Sequence, residues 1–191
     1  VIDTSGKLFV ADSDFNRVQA FKKVNVLPND RAIVVAGGGP FPGNNLWDAT
    51  QMCANFAYRT LTLQGYTKDN IYYLTSDTGL DLDNNGELDD VDGESTNANL
   101  QQAITTWAAG SESLVLYLVD HGGEFTFRMS GTETLSSAEM GTWLNTLQAG
   151  MSGYLIVVYD ACESGTFQAA LTPAVGKKRI VITRTSSQES S

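Results

Sequence analysis

Ser113-Leu114-Val115-Leu116-Tyr117-Leu118-Val119, followed at once by Asp120-His121-Gly122-Gly123, is a short apolar run bounded by polar and glycine positions. Such a run reads as a strand buried on both faces, of the kind found inside a parallel sheet, with the glycines marking the loop at its carboxyl end. Three other stretches share this form. Ala32-Ile33-Val34-Val35-Ala36 ends on Gly37-Gly38-Gly39, Ile71-Tyr72-Tyr73-Leu74-Thr75 precedes a polar loop, and Tyr154-Leu155-Ile156-Val157-Val158-Tyr159 ends on Asp160-Ala161-Cys162. Arg179-Ile180-Val181-Ile182-Thr183 supplies a fifth strand. Between them the spacing predicts a helix from about Leu46 to Leu63, with Ala49, Cys53, Phe56, Ala57 and Thr60 on its apolar face and Gly65 as its stop. A second helix is expected from Thr96 through Leu100, Ile104 and Trp107 to Gly110. A third runs from Ser137 to about Leu147, with Ser136 or Ser137 and Glu139 near its start, after a hairpin from Phe125 to Leu135. Strands alternating with helices imply an α/β domain with a mostly parallel sheet and helices on both faces.

Size and charge narrow the range of functions. A chain of 191 residues is long enough for one full core, so one principal domain is expected. With 22 acidic against 12 basic residues the net charge is −10, which repels nucleic acid phosphates and anionic lipid headgroups. No run approaches the roughly 18 apolar residues of a membrane span. The chain opens on Val1 with no basic-then-apolar leader, as expected for an excised or processed piece of something longer. Cys53 and Cys162 lie in different local contexts, so a structural disulfide is not expected.

In a parallel α/β sheet, ligand sites collect at the carboxyl ends of the strands. His121 and Cys162 each stand immediately past such an end, and each is framed by glycine or small residues. A thiol of ordinary pKa about 8.5 needs a base or a positive field to react near neutral pH, and His121 is the chain's one histidine. Taken singly, each residue is equally at home in a bland role, the histidine as a structural residue and the cysteine as a small core hydrophobe. Cys53, inside a helical apolar stripe, fits the bland role. The pairing of His121 with Cys162 points to nucleophilic catalysis, with imidazole as general base.

A second chemical signal is the loop Asp81-Leu82-Asp83-Asn84-Asn85-Gly86-Glu87-Leu88-Asp89-Asp90-Val91-Asp92. Oxygen side chains stand at positions 1, 3, 5, 9 and 12, with Gly86 at position 6. This is the spacing of an EF-hand or dockerin-type calcium loop, in which alternate carboxylates converge on one hard cation. The expected ligands are Asp81, Asp83, Asn85, the carbonyl of Glu87, and Asp92, holding one structural calcium. The bland reading is a solvated acidic loop. Aspartate rather than glutamate at position 12 is the more dockerin-like choice. A calcium loop suits an extracytoplasmic or secreted location.

Val119-Asp120-His121-Gly122 and Asp160-Ala161-Cys162-Glu163-Ser164-Gly165 resemble the paired signatures of the legumain family of cysteine peptidases, whose nucleophile segment usually reads Glu-Ala-Cys-Glu-Ser-Gly. The resemblance extends from about Arg31 to Glu189-Ser190-Ser191. It implies a caspase-like three-layer sandwich and an endopeptidase that cleaves peptide bonds through a Cys162 thioester, with no cofactor for catalysis. His121 would move the protons, and the backbone N–H groups of Cys162 and Gly122 would hold the oxyanion. The family's assisting asparagine falls on Asn45, with Asn44 as the competing choice. Its specificity pocket implies Trp47 where the family has arginine, Asp160 in place of glutamate, and Ser191. Two alternatives share the fold: a transamidase or ligase that resolves the thioester with an amine, and an inactive calcium-binding interaction module.

Residues 1–21 resemble one NHL repeat, a β-propeller blade unit, in their Gly6, Val10-Ala11-Asp12, Asn16-Arg17-Val18 and Phe21. The expected organisation is therefore an NHL-like β segment over 1–27 and a caspase-like peptidase domain over 28–191 that lacks a last strand. Implied partners are a protein or peptide substrate, and a missing C-terminal fragment or an upstream propeller.

Overall fold

The computed structural model describes residues 8–12, 17–21 and 26–186, the first two stretches as backbone only. Strands β1 (Leu8–Asp12) and β2 (Arg17–Phe21) pair antiparallel, Leu8 opposite Phe21, matching the two short strands expected there. The turn and flanking residues that carry the rest of the NHL-like pattern lie outside the described residues.

The central sheet has five parallel strands. These are β3 (Arg31–Ala36), β4 (Ile71–Leu74), β5 (Leu114–Val119), β9 (Tyr154–Asp160) and β10 (Lys178–Thr183), in the order β10-β9-β5-β3-β4. Their alternation sorts side chains onto two faces. Ala32, Val34, Ala36, Ile71 and Tyr73 face helix α1 (Trp47–Gln64), which contributes Ala54 and Tyr58. Ile33, Val35, Leu114, Leu116, Leu155 and Val157 face the opposite layer, built from α2 (Asn97–Gln102) and α3 (Ser137–Ala149). With helices on both faces of a parallel sheet, the arrangement is the caspase-like α/β sandwich that the signatures imply.

Local detail departs from the sequence expectation in three places. On α1 the buried positions are Thr50, Ala54 and Tyr58, while Phe56, expected on the inner face, is 71% exposed. The stripe is rotated because Tyr58, the larger buried side chain, carries its hydroxyl to a buried acceptor, Asp90. The second helix is α-helical only to Gln102 and widens into a π-turn over Ala103–Trp107. The expected 125–135 hairpin is instead a small antiparallel sheet of β6 (Gly122–Gly123), β7 (Thr126–Arg128) and β8 (Thr134–Ser136), so the glycines after His121 are themselves strand-paired. That sheet leads into α3 through a reciprocal cap: the Ser136 hydroxyl accepts from the Glu139 N–H, and the Glu139 carboxylate accepts from the Ser136 N–H. Among the described residues no helix is long and apolar enough to cross a membrane.

Candidate active site

Parallel register brings the two candidate catalytic residues level. Val119 of β5 pairs with Asp160 of β9, and the Asp120 N–H continues the ladder to the Asp160 carbonyl at 3.4 Å. His121 and Cys162 each stand two residues beyond that pair, on strands spaced about 4.8 Å apart. Their loops touch through glycine. A Cβ added at Gly122 would lie 2.2 Å from the Cys162 carbonyl oxygen and 3.0 Å from both the Ala161 Cβ and the Tyr159 hydroxyl. No side chain fits there, which gives the His-Gly pair a steric reason. Beneath this contact Tyr159 packs on Phe167 (ring centroids 4.4 Å apart) and Phe127 (5.5 Å), and its hydroxyl donates to the Thr126 carbonyl at 3.1 Å. Cys53 and Cys162 are both half-buried, and neither forms a disulfide.

Hydrogen bonds fix the histidine's tautomer. The Asn44 Oδ1 lies 3.2 Å from His121 Nε2. The amide's orientation is set by its other bonds, since Nδ2 donates to the Gly39 carbonyl at 2.8 Å and Oδ1 accepts from the Leu46 N–H at 3.1 Å. Nε2 is therefore the donor in this pair. The expectation placed Asn45 against the histidine, with Asn44 as the competing choice; in the structure Asn44 makes the contact. The reason lies in the loop: the Asn44 N–H bonds the Phe41 carbonyl and its side chain turns back on Gly39, and both asparagines border a cavity of about 550 Å³ with Trp47, Phe41 and Pro42.

The arrangement on the amide side also concerns oxyanion donors. The Arg128 N–H donates to the His121 carbonyl at 3.0 Å, which makes Gly122–Phe127 a non-hydrogen-bonded pair of the β6–β7 ladder. In such a pair both residues direct their N–H groups away from the partner strand, so the Gly122 N–H points away from β7.

Asp120, between the strand and the histidine, is buried. Its Oδ1 accepts from the Thr50 hydroxyl of α1 at 3.1 Å, while Oδ2 is without a partner among the described residues and would collide with a Cβ added at Gly38, a residue with φ of 73°. Burial pushes the Asp120 carboxyl above the ordinary aspartate range, against the lowering pull of the His121 N–H, the His121 ring and the Thr50 hydroxyl.

The expected specificity residues separate. Trp47 packs against the α1-side core and borders the Asn45 cavity. Asp160 instead lines a cavity of about 320 Å³ with Val158, Ile182 and Arg184, and Ser191 lies outside the described residues. Asp160 Oδ1 pairs with the Arg184 guanidinium at 3.1 Å, and its Oδ2 accepts from the Tyr117 hydroxyl at 3.2 Å. Burial, then the neighbouring Asp160, holds the Tyr117 phenol above its ordinary value, so it remains a donor. Arg184 was not singled out by the sequence because it lies beyond the end of β10, 24 residues from its partner.

The acidic loop also differs from expectation. Carboxylate oxygens of Asp81, Asp83 and Asp90 lie within 4.8 Å of one another. Asp92 is directed elsewhere, to the Tyr73 N–H at 2.7 Å and Lys68 at 3.0 Å. Position 12 is therefore held by β4, and Asp90 takes its place in the cluster. Asn85 Oδ1 accepts from the Glu87 N–H at 2.7 Å, while the Asn85 N–H bonds Asp81 and Asp83.

A sequence profile of the peptidase C13 family matches residues 91–191, just over half of the chain and the whole of both signature segments. The chain belongs to the peptidase C13 family. The match begins after β4, so Asn44 and α1 fall outside it. A search of curated proteins gives no match. Membership of the C13 family makes this chain a cysteine peptidase of the legumain kind.

Proposed function

We propose that the protein is a cysteine endopeptidase in which Cys162 is the nucleophile and His121 the proton carrier. The observation that carries this reading is the register pairing Val119 with Asp160, together with the Asn44 acceptor on His121 Nε2. With that nitrogen protonated, His121 Nδ1 is the atom that takes the thiol proton. The thiolate adds to the scissile carbonyl, and the oxyanion forms beside the N–H groups of Cys162 and Gly122. Nδ1–H then protonates the leaving amine as the C–N bond breaks, leaving a thioester. Water, deprotonated by the same nitrogen, hydrolyses the thioester and restores the thiol. Asn44 keeps the ring oriented through both halves.

Asp160 and Arg184 together offer an acceptor and a donor to the side chain preceding the scissile bond. Cleavage of a peptide library, read by mass spectrometry, tests both parts. The protein should cleave at defined sites. Arg184→Ala, which leaves Asp160 without its cation, should raise cleavage after Lys and Arg about tenfold relative to the parent. Unaltered site preference in that variant would remove Asp160 and Arg184 from the specificity pocket.

We infer further that the acidic loop holds one structural calcium, with Asp81, Asp83 and Asp90 as its carboxylates. What supports this is their convergence within 4.8 Å and the alternating spacing of the first two. The ion would offset the mutual repulsion of the cluster and fix the chain between β4 and α2. Saturating calcium should raise Tm by roughly 5–10 °C over excess chelator, the shift expected when a ligand is near a hundredfold above its Kd. Identical thermal transitions in calcium and in chelator would count against the site.

A further inference from the structure

A cavity of about 670 Å³ is lined by Glu124 and Phe125 and by the turn that follows Cys162, while Asp160 and Arg184 line a separate one. Strand alternation produces this division. Asp160 points to the α1 side, while its neighbours Tyr159 and Ala161 are buried on the other side with Phe127 and Phe167. The turn after Cys162 packs on that second side, where the Ala170 carbonyl would meet a Cβ added at Gly141 of α3 at 2.5 Å. Glu124 and Phe125 form one wall of the cavity, and Glu163, Thr166 and Gln168 the other.

Two features give the cavity a chemical preference. Among the described residues the ion pairs are Lys68–Asp92 and Arg184–Asp160, so Glu124 and Glu163 have no cationic partner there. Phe125, 51% exposed, is presented on a fixed backbone. Its N–H donates to the Thr166 hydroxyl at 3.0 Å, its carbonyl accepts from Ser137 at 3.0 Å, and its φ of 57° lies in the left-handed region. Glu163 is likewise left-handed, at φ 50°, with its carbonyl held by Thr166. A side chain with a long apolar stem and a cationic head matches this surface: the stem or guanidinium covers the ring and the head meets the carboxylates.

We propose that this cavity is a substrate subsite for a lysine or arginine on the leaving-group side of the scissile bond. The proposal rests on the endopeptidase reading above: with the preceding side chain against Asp160 and the carbonyl at Cys162, the departing segment crosses to the α3 face.

The test uses peptides identical up to the scissile bond that carry Lys, Arg, Ala or Glu at the first or second position after it. At low ionic strength kcat/KM for the Lys or Arg peptide should exceed that for the Glu peptide by about tenfold. The ratio should fall towards one in the double variant Glu124→Gln/Glu163→Gln, and also as salt is raised. A binding arm measures the Kd of the same peptides for the Cys162→Ala protein, where the same order is expected without turnover. Equal cleavage of Lys and Glu peptides, or a preference that survives the double variant, overturns the subsite while leaving the endopeptidase reading intact. If no peptide is cleaved, the endopeptidase reading fails, and the Kd ratio alone then decides the subsite: tighter Lys peptides lost in the double variant uphold it, equal affinities overturn it.

Discussion

Cys162→Ala should lower kcat/KM for peptide cleavage by more than about a thousandfold, because removing the nucleophile leaves only binding and oxyanion stabilisation. His121→Ala should cost at least about a hundredfold, the scale of a lost general base. Asn44→Ala should cost less, since the amide acts only through the ring. It holds the imidazole through the contact of its Oδ1 with Nε2 at 3.2 Å. Asn45→Ala, beside the Trp47 cavity, should leave cleavage near the parent value. The order Cys162, His121, Asn44, Asn45 distinguishes this arrangement from a general loss of structure, because the four variants are expected to share one thermal transition. Cleavage persisting in Cys162→Ala would place the activity elsewhere in the molecule.

The sheet was legible because its strands are continuous apolar runs ending in glycine or small residues, a pattern that only a twice-covered parallel sheet makes favourable. All five runs, Ala32–Ala36, Ile71–Thr75, Ser113–Val119, Tyr154–Tyr159 and Arg179–Thr183, are strands in the structure to within a residue at either end. Strand ends also located His121 and Cys162, since register in a parallel sheet follows from the crossovers. What sequence could not supply was the direction of side chains in loops. Asn44 and Asn45 are adjacent and chemically identical, and the choice between them depends on the turn at Phe41–Asn44. Arg184 reaches Asp160 only because β10 pairs beside β9 in register, with Thr183 opposite Tyr159. The Phe56 face was misread for a related reason, as hydrophobicity alone ranks phenylalanine above tyrosine, whereas the buried acceptor favours Tyr58.

That acceptor defines the largest stability effect expected in the chain. Asp90 is fully buried and takes hydrogen bonds from the Tyr58 hydroxyl, the Leu82 N–H and the Asp83 N–H. Burial, then the hydrogen bond to Asp90, holds the Tyr58 phenol well above its ordinary value, so it stays a donor over the whole working pH range. In Asp90→Ala these donors lose their acceptor inside the protein at about 1–3 kcal/mol each, so a total of about 3–5 kcal/mol is expected after partial relaxation. For a domain of this size that corresponds to a fall in Tm of roughly 8–15 °C. Tyr58→Phe, which removes one donor and keeps the ring, should cost only about 1–2 kcal/mol, and much of the Asp90→Ala penalty should be shared with it in the double variant. Thermal melts in calcium and in chelator also separate two ligand sets for the acidic loop. If Asp90 is a calcium ligand, the Tm difference between calcium and chelator disappears in Asp90→Ala but persists in Asp92→Ala, whose side chain is engaged with Tyr73 and Lys68. A calcium response abolished by Asp92→Ala and retained in Asp90→Ala would instead restore the twelve-residue spacing as the true ligand set, and a fall in Tm below about 2 °C for Asp90→Ala would show that the buried carboxyl is not the hub that links α1 to the acidic loop.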